Sequence, residues 1–349
     1  MKRRLLHGLL GCSTLLVVGC SAKSPPVPAS ETPRSPAPAA PAAGSPSHVV
    51  TEHFHSDALG VDKDVVVYVP RGYDAQPAKH WPVFYYLHGL TGDETNWVKN
   101  GKLDAAADQL ALAAIVVMPD GDDDFYVDSP AAIDYAKCMA SGDGLFTKAP
   151  PFAKACVHQR NYEAYIAKDL VGWVDAHYRT IQRRDGRAIA GLSMGGFGAM
   201  AISLRHPDEF AAAASHSGAI AMMFRGPRPF VADQPVELMT SVGGEPAGAN
   251  PIVAWIGKMF GRDIAEWKAH DVVELASKLP TGTLALYFDC GTEDDFNLQD
   301  NVQYVHAALT ARHIEHEFFV GPGKHNFELW TQRLPHSLAF LAAHTAKPE

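Results

Sequence analysis

Apolar residues in this chain fall into short unbroken runs separated by longer stretches with helical spacing. Val83-Phe84-Tyr85-Tyr86-Leu87 and Ala114 to Pro119 are continuous in this sense, and Phe210 to Ser217 and Leu284 to Asp289 are strand runs that end in polar residues. A strand wet on one face would alternate, so such runs predict strands covered on both faces. Val49 to His55, Asp64 to Val69 and His316 to Val320 complete the strand set. Helical spacing predicts helices over Asn96 to Ala111, Tyr162 to His177, Phe197 to His206, Asn297 to Ala311 and Leu329 to His344. In the second of these Ile166, Leu170, Trp173 and Val174 share one face, and Pro207 closes the third. Strand and helix alternate, which predicts an α/β fold with a mostly parallel, doubly wound sheet. Two stretches break the rhythm. Residues 131–159 are irregular. Residues 219–273, with Met222-Met223-Phe224, Trp255 and Trp267, read as a cap-like insertion lining an acyl or alcohol pocket.

The N-terminus is built differently. Met1-Lys2-Arg3-Arg4 precedes the apolar run Leu5 to Val18, too short to span a bilayer and flanked like a signal peptide. Val17-Val18-Gly19-Cys20-Ser21 resembles a bacterial lipobox, so residues 1–19 are expected to be cleaved and Cys20 lipidated. Residues 20–47 form a Pro/Ala/Ser-rich linker, and 48–346 the folded domain. The expected partner is a lipid bilayer reached through that anchor, in the bacterial envelope, with the outer membrane favoured and the domain periplasmic or surface-exposed. In an oxidising compartment Cys138 and Cys156 can form a disulfide; two free thiols are the alternative. With 30 basic against 39 acidic residues the net charge is −9, and no basic stripe suggests nucleic acid. Oligomeric state is not legible.

Chemistry concentrates in Gly191-Leu192-Ser193-Met194-Gly195, a G-x-S-x-G pattern between an apolar strand and a small-residue helix. That context predicts a nucleophile elbow, with the Ser193 hydroxyl aimed over a helix N-terminus. Acyl transfer then needs a base, an orienting acid and an oxyanion hole. The acid is Asp294 or Asp295, both beyond a strand end, and Asp294 is preferred; Asp289 still lies within the strand. The base is His325, in a Gly/Pro loop between the last strand and the last helix. His313 and His316 are expected to face solvent, His336 to sit in the terminal helix, and His88 to serve structurally in its strand-end turn. The oxyanion donors are the backbone amides of Leu90 and Met194. Asp120-Gly121-Asp122-Asp123-Asp124 opens like a calcium loop, but Phe125 stands where glycine is needed; a loop near the site is the preferred reading. No Cys-x-x-Cys pair points to zinc, and the chemistry calls for neither metal nor cofactor.

YYLHGLTGDETNW, VVMPDGDDDFYVDSP, YEAYIAKDL, AIAGLSMGGFGAMAISLRHPDEFAAAASHSG, DCGTEDDF and GKHNFELW together resemble the esterase D / tributyrin esterase-like branch of the α/β hydrolases. That branch also holds S-formylglutathione hydrolases, feruloyl esterases and the antigen 85 mycolyltransferases. The resemblance implies an α/β-hydrolase fold, with Ser193, Asp294 and His325 as triad and the Leu90 and Met194 amides as oxyanion hole. The stretch from Cys138 to Cys156 departs from the family pattern. The expected function is an exported serine carboxylesterase acting on short-chain or aromatic esters. Alternatives are a feruloyl or acetyl-sugar esterase, an S-formylglutathione hydrolase-like thioesterase, an acyltransferase, and a non-catalytic binding lipoprotein.

Overall fold

A computed structural model describes residues 44–243 and 250–349. The expectations for the signal segment, for Cys20 and for most of the linker lie outside the described residues.

Eight strands form one sheet in the order β1-β2-β4-β3-β5-β6-β9-β10. They are β1 (His48–Ser56), β2 (Val61–Val69), β3 (Val83–Leu87), β4 (Ile115–Pro119), β5 (Arg187–Leu192), β6 (Ala212–His216), β9 (Ala285–Gly291) and β10 (Glu317–Gly321). A separate small antiparallel pair is made by β7 (Phe224–Gly226) and β8 (Glu237–Leu238). In the main sheet β2 runs antiparallel to both β1 and β4, and the remaining pairings are parallel. The carboxyl ends of β3, β5, β6 and β9 therefore open on the same side, where ligands bind in sheets of this type.

The helix expected over 96–111 is two helices, α1 (Asn96–Lys99) and α2 (Leu103–Gln109). Gly101 lies against Trp97, where a Cβ would come within 2.7 Å of the Trp97 carbonyl. Lys102 then takes a left-handed φ of 54°. Apolar spacing carries across that break, so pattern alone could not show it. Trp97 is buried and donates its Nε1–H to the Leu87 carbonyl at 3.0 Å, pinning α1 to the end of β3. The run 162–177 is helical throughout but contains a π turn (Tyr165–Leu170) between α4 (Tyr162–Ala164) and α5 (Val171–His177).

The stretch expected to be irregular contains α3 (Tyr135–Ser141), N-capped by the Asp134 side chain, and a 3₁₀ turn at Phe152–Lys154. A Cys138–Cys156 disulfide joins the two, with a Cα–Cα distance of 5.7 Å. Closing a loop of this length removes denatured-state entropy worth about 3 kcal/mol. A Cys138→Ser/Cys156→Ser variant is expected to lose about that much in urea denaturation. An unchanged midpoint would mean the segment opens independently of the core.

The remaining helices are α6 (Met194–Arg205), α7 (Pro251–Phe260), α8 (Ile264–Lys268), α9 (Val272–Ala276), α10 (Leu298–Thr310) and α11 (Phe327–Ala343). All residues of β3, β4, β5 and β6 are buried, as strands covered on both faces require. Alternate side chains enter two cores. Tyr85, Leu87, Val117 and Ile189 pack with residues of α5, α6, α9 and α10, while Phe84, Tyr86, Val116, Ala190 and Leu192 pack with residues of α1, α2 and α11.

The described residues of the 219–273 insertion pack on the core and on the acidic loop. Met222 and Met223 are core residues. Trp255 donates to the Asp123 carbonyl at 2.7 Å, and Phe260 packs on Phe125 and Phe197. Through these residues the insertion backs the acidic loop.

Candidate active site

β5 ends at Leu192, α6 begins at Met194, and Ser193 forms the turn between them with φ 53° and ψ −117°. A left-handed φ at a serine is strained, and such strain persists only where surroundings impose it. Here the Ser193 N–H donates to the His216 carbonyl at 2.8 Å, and its carbonyl accepts from Phe197 at 3.0 Å. The two motif glycines permit the close approach. A Cβ on Gly191 would lie 2.3 Å from the Gly195 carbonyl oxygen; one on Gly195 would lie 2.4 Å from the carbonyl oxygens of both Leu87 and His88. These obstacles are backbone atoms and cannot swing aside. Gly195→Ala is therefore expected to displace the elbow, costing about 1–3 kcal/mol of stability and about 10²-fold in turnover. Thermal denaturation and steady-state kinetics check both, and a variant with normal turnover would refute the steric argument.

His325 Nε2 lies 2.9 Å from Ser193 Oγ, and its Nδ1 lies 2.7 Å from Asp294 Oδ2. Asp294 is buried, whereas Asp295 is exposed. The Asp294 carboxylate also accepts from the Phe296 amide at 2.9 Å and the Leu298 amide at 3.4 Å. Cys290, the free cysteine among the described residues, is buried with its Sγ 3.6 Å from Asp294 Oδ2. Burial and the neighbouring carboxylate push its thiol pKa up, so it stays a neutral donor. The imidazole is held edge-on between Phe296 and Trp330, with centroids at 4.8 and 5.0 Å. Neither aromatic is apparent as a site residue in the sequence, though both flank the motif residues they serve. Of the other histidines, His313 and His336 are exposed. His316, expected in solvent, is half-buried instead: it stacks on Phe288 at 5.1 Å and bonds His306 at 2.8 Å.

Met194 opens α6, so its amide has no carbonyl four residues back to bond. Leu90 stands in the turn after β3, and among the described residues neither amide donates to another group of the protein. A Cβ on Gly89 would sit 3.3 Å from Ser193 Cβ, so this turn lies directly over the nucleophile. The next amide, Thr91, donates to Asp123 Oδ1 at 2.6 Å. His88 accepts the Gly121 N–H on Nε2 at 2.8 Å, and its ring is wholly buried. Its place in the turn is structural, tying the loops after β3 and β4 together.

The acidic loop is neutralised from inside the protein. Lys63 of β2 donates to Asp120 at 3.1 Å and to both oxygens of Asp122 at 2.9 and 2.8 Å. Tyr162 bonds Asp122, and Arg160 pairs with Asp124. Burial and the charge of Asp120 push the Asp122 pKa up to about 7. Burial acts on Asp120 in the same direction, but the Lys63 ammonium holds it well below the usual carboxylate range. Alongside lies a cavity of about 270 Å³, lined by Thr91, Gly92, Asp123, Phe146, Pro151 and Lys154 among others. The disulfide-tied segment thus supplies one wall.

A family model described as "Putative esterase" matches residues 56–341. Over 167 residues the chain is 31% identical to Esterase Rv1288 of Mycobacterium tuberculosis (strain ATCC 25618 / H37Rv); the match covers 47% of this chain and 31% of that protein. Among solved structures, a ferulic acid esterase superposes with a TM-score of 0.61 at 22% identity, covering 86% of this chain and 99% of the other. An S-formylglutathione hydrolase from Agrobacterium tumefaciens gives 0.61 at 18% identity, covering 86% and 96%. At these identities the structural likeness is one of fold.

Proposed function

The chain belongs to the putative esterase family, and from that membership we propose that it is a serine carboxylesterase working through an acyl-enzyme on Ser193. One observation carries this reading: the unbroken line Ser193 Oγ, His325 Nε2, His325 Nδ1, Asp294 Oδ2, at 2.9 and 2.7 Å. An ionised carboxylate can only accept, so the Nδ1 proton faces Asp294 and Nε2 is left as the base. Nε2 takes the Ser193 proton as Oγ attacks the ester carbonyl. The resulting oxyanion lies at the Leu90 and Met194 amides. Nε2–H then protonates the departing alkoxide, and a water repeats the sequence to release the acid. Each oxyanion donor stabilises this state by about 2.7–4 kcal/mol. In this reading the substrates are short-chain or aromatic esters.

Export as a lipoprotein anchored through Cys20 is part of the same proposal. The Cys138–Cys156 disulfide supports it, since such bonds persist in oxidising compartments. Fatty-acid labelling that survives in a Cys20→Ser variant would refute the anchor.

The deciding experiment is an ester panel: p-nitrophenyl acetate to decanoate, methyl ferulate, acetylated xylan and an S-formyl thioester, alongside a serine-directed phosphonate. The proposal expects turnover of the short and aromatic esters and a label on Ser193. A fast thioester with slow oxygen esters would favour the thioesterase reading. Acyl-sugar formed in place of free acid would favour acyl transfer. No turnover and no label would leave a binding protein.

A further inference from the structure

A second polar cluster lies beneath the Ser193 site, between the sheet and α11, its centre wholly buried. His216, the last residue of β6, pairs in the ladder with Asp289 of β9. Its Nδ1 lies 3.1 and 3.0 Å from the two Asp289 oxygens, and its Nε2 lies 2.8 Å from Ser337 Oγ. Tyr86 OH reaches the same Ser337 oxygen at 3.0 Å. Tyr287 OH donates to Asp289 Oδ2 at 2.6 Å, and Arg333 Nε donates there at 3.2 Å. His216, Asp289 and Ser337 are all 0% exposed. The order serine, histidine, aspartate repeats that of the upper site, but no substrate can reach it. Buried polar clusters of this kind are weak sources of stability, because desolvation offsets most of the attraction.

Its connections are more telling than its composition. The backbone carbonyl of His216 accepts the Ser193 N–H, and that of Asp289 accepts the Ser217 N–H, both at 2.8 Å. Ser217 Oγ accepts from Trp330 Nε1 at 3.1 Å, and Trp330 is the ring packed edge-on to His325. Asp294 stands on the loop leaving β9. Ser337 and Arg333 belong to α11, which begins just after His325. Tyr86 belongs to β3, which leads into the Leu90 turn.

We infer that the His216–Asp289 pair is a positioning unit: it fastens at one point the four segments carrying Ser193, Asp294, His325 and the Leu90 amide. The inference rests on the esterase reading above. Neither residue touches substrate; each acts through the backbone it holds. Geometry at a reacting centre tolerates little error, since a shift near 1 Å can cost about 10²-fold in rate.

The test is kinetic, on the full chain, with active sites counted by phosphonate titration. Asp289→Asn keeps shape and removes the charge that His216 and Arg333 share. It is expected to lower kcat per titrated site by about tenfold or more while KM stays within about twofold, with Ser193 labelling slowed in parallel. His216→Asn, whose amide can still donate to Asp289, is expected to retain more kcat than His216→Ala. If Asp289→Asn does not fold, Ser337→Ala and Arg333→Gln, which trim the cluster from α11, are read by the same split. A purely structural role would lower the melting temperature and leave kcat per titrated site unchanged. That result in any folded Asp289 or His216 variant, or in both α11 variants, overturns the inference. An inactive parent with unlabelled Ser193 instead overturns the esterase reading, and this one with it.

Discussion

Ser193→Ala is expected to fold normally and to lose about 10⁶-fold in kcat on a p-nitrophenyl ester. The loss is so large because covalent catalysis has no substitute once Oγ is gone: His325 still has a free Nε2, but nothing stands between it and the carbonyl to deprotonate. What survives, about 10³–10⁴ over water, comes from the oxyanion amides and binding. His325→Ala should cost about as much, and the double variant hardly more, because the two side chains act as one unit. Asp294→Asn should fall by about 10⁴-fold with the fold intact, since an amide can present its NH₂ to Nδ1 and reverse the imidazole tautomer. Stability should barely respond to Ser193→Ala, because Oγ bonds only His325 among the described residues. Steady-state rates and thermal melts on the same samples check both halves. A residual kcat within tenfold of the parent would remove Ser193 from the mechanism.

Much of this site was legible from residue order because each part sits where a strand hands over to a loop or helix. G-x-S-x-G between an apolar run and small residues admits few backbone solutions, and a Gly/Pro loop before the last helix marked His325. Choosing Asp294 over Asp295 was harder, as adjacent aspartates differ only in which way the turn points them; burial separates them. The parts that were not legible are long-range. Lys63 falls just outside the strand expected over Asp64 to Val69, although it shares the face of Val65 and Val67 and so has to point inward. The acidic loop invited a metal reading because its neutralising partners, Lys63 and Arg160, come from elsewhere in the chain. His216 looks like an ordinary polar residue at a strand end and Asp289 is weighed only as a catalytic acid; only the β6–β9 register brings them together. The split of 96–111 at Gly101 and the π turn at Tyr165–Leu170 left no trace in apolar spacing.

Lys63 carries the second large effect. Lys63→Met is expected to cost about 3–5 kcal/mol of stability near pH 8, because it strands two buried carboxylates beside each other. The ammonium is 1% exposed and binds Asp120, Asp122 and the Lys154 carbonyl, so no water can take its place without opening the loop. The pH dependence follows from the carboxylates. In the parent, Asp122 is raised by burial and by Asp120 to about 7, against about 3.9 when unfolded. Between those values the folded chain keeps a proton that the unfolded chain gives up, so this group's contribution falls as pH rises through the window. Removing Lys63 raises both carboxylates further and lengthens the window upward. The deficit of the variant should therefore be larger at pH 8 than at pH 5, where protonation relieves the repulsion. Lys63→Met/Asp120→Asn should recover part of the loss, since one uncompensated charge then remains in place of two. Urea denaturation of the three proteins at both pH values decides it. Equal stability at pH 8, or a deficit that grows toward pH 5, would contradict the charge argument. Activity should fall alongside, because Asp123 of the same loop holds the Thr91 amide next to Leu90. A loop that opens to hydrate Asp120 and Asp122 cannot keep the Leu90 turn over Ser193.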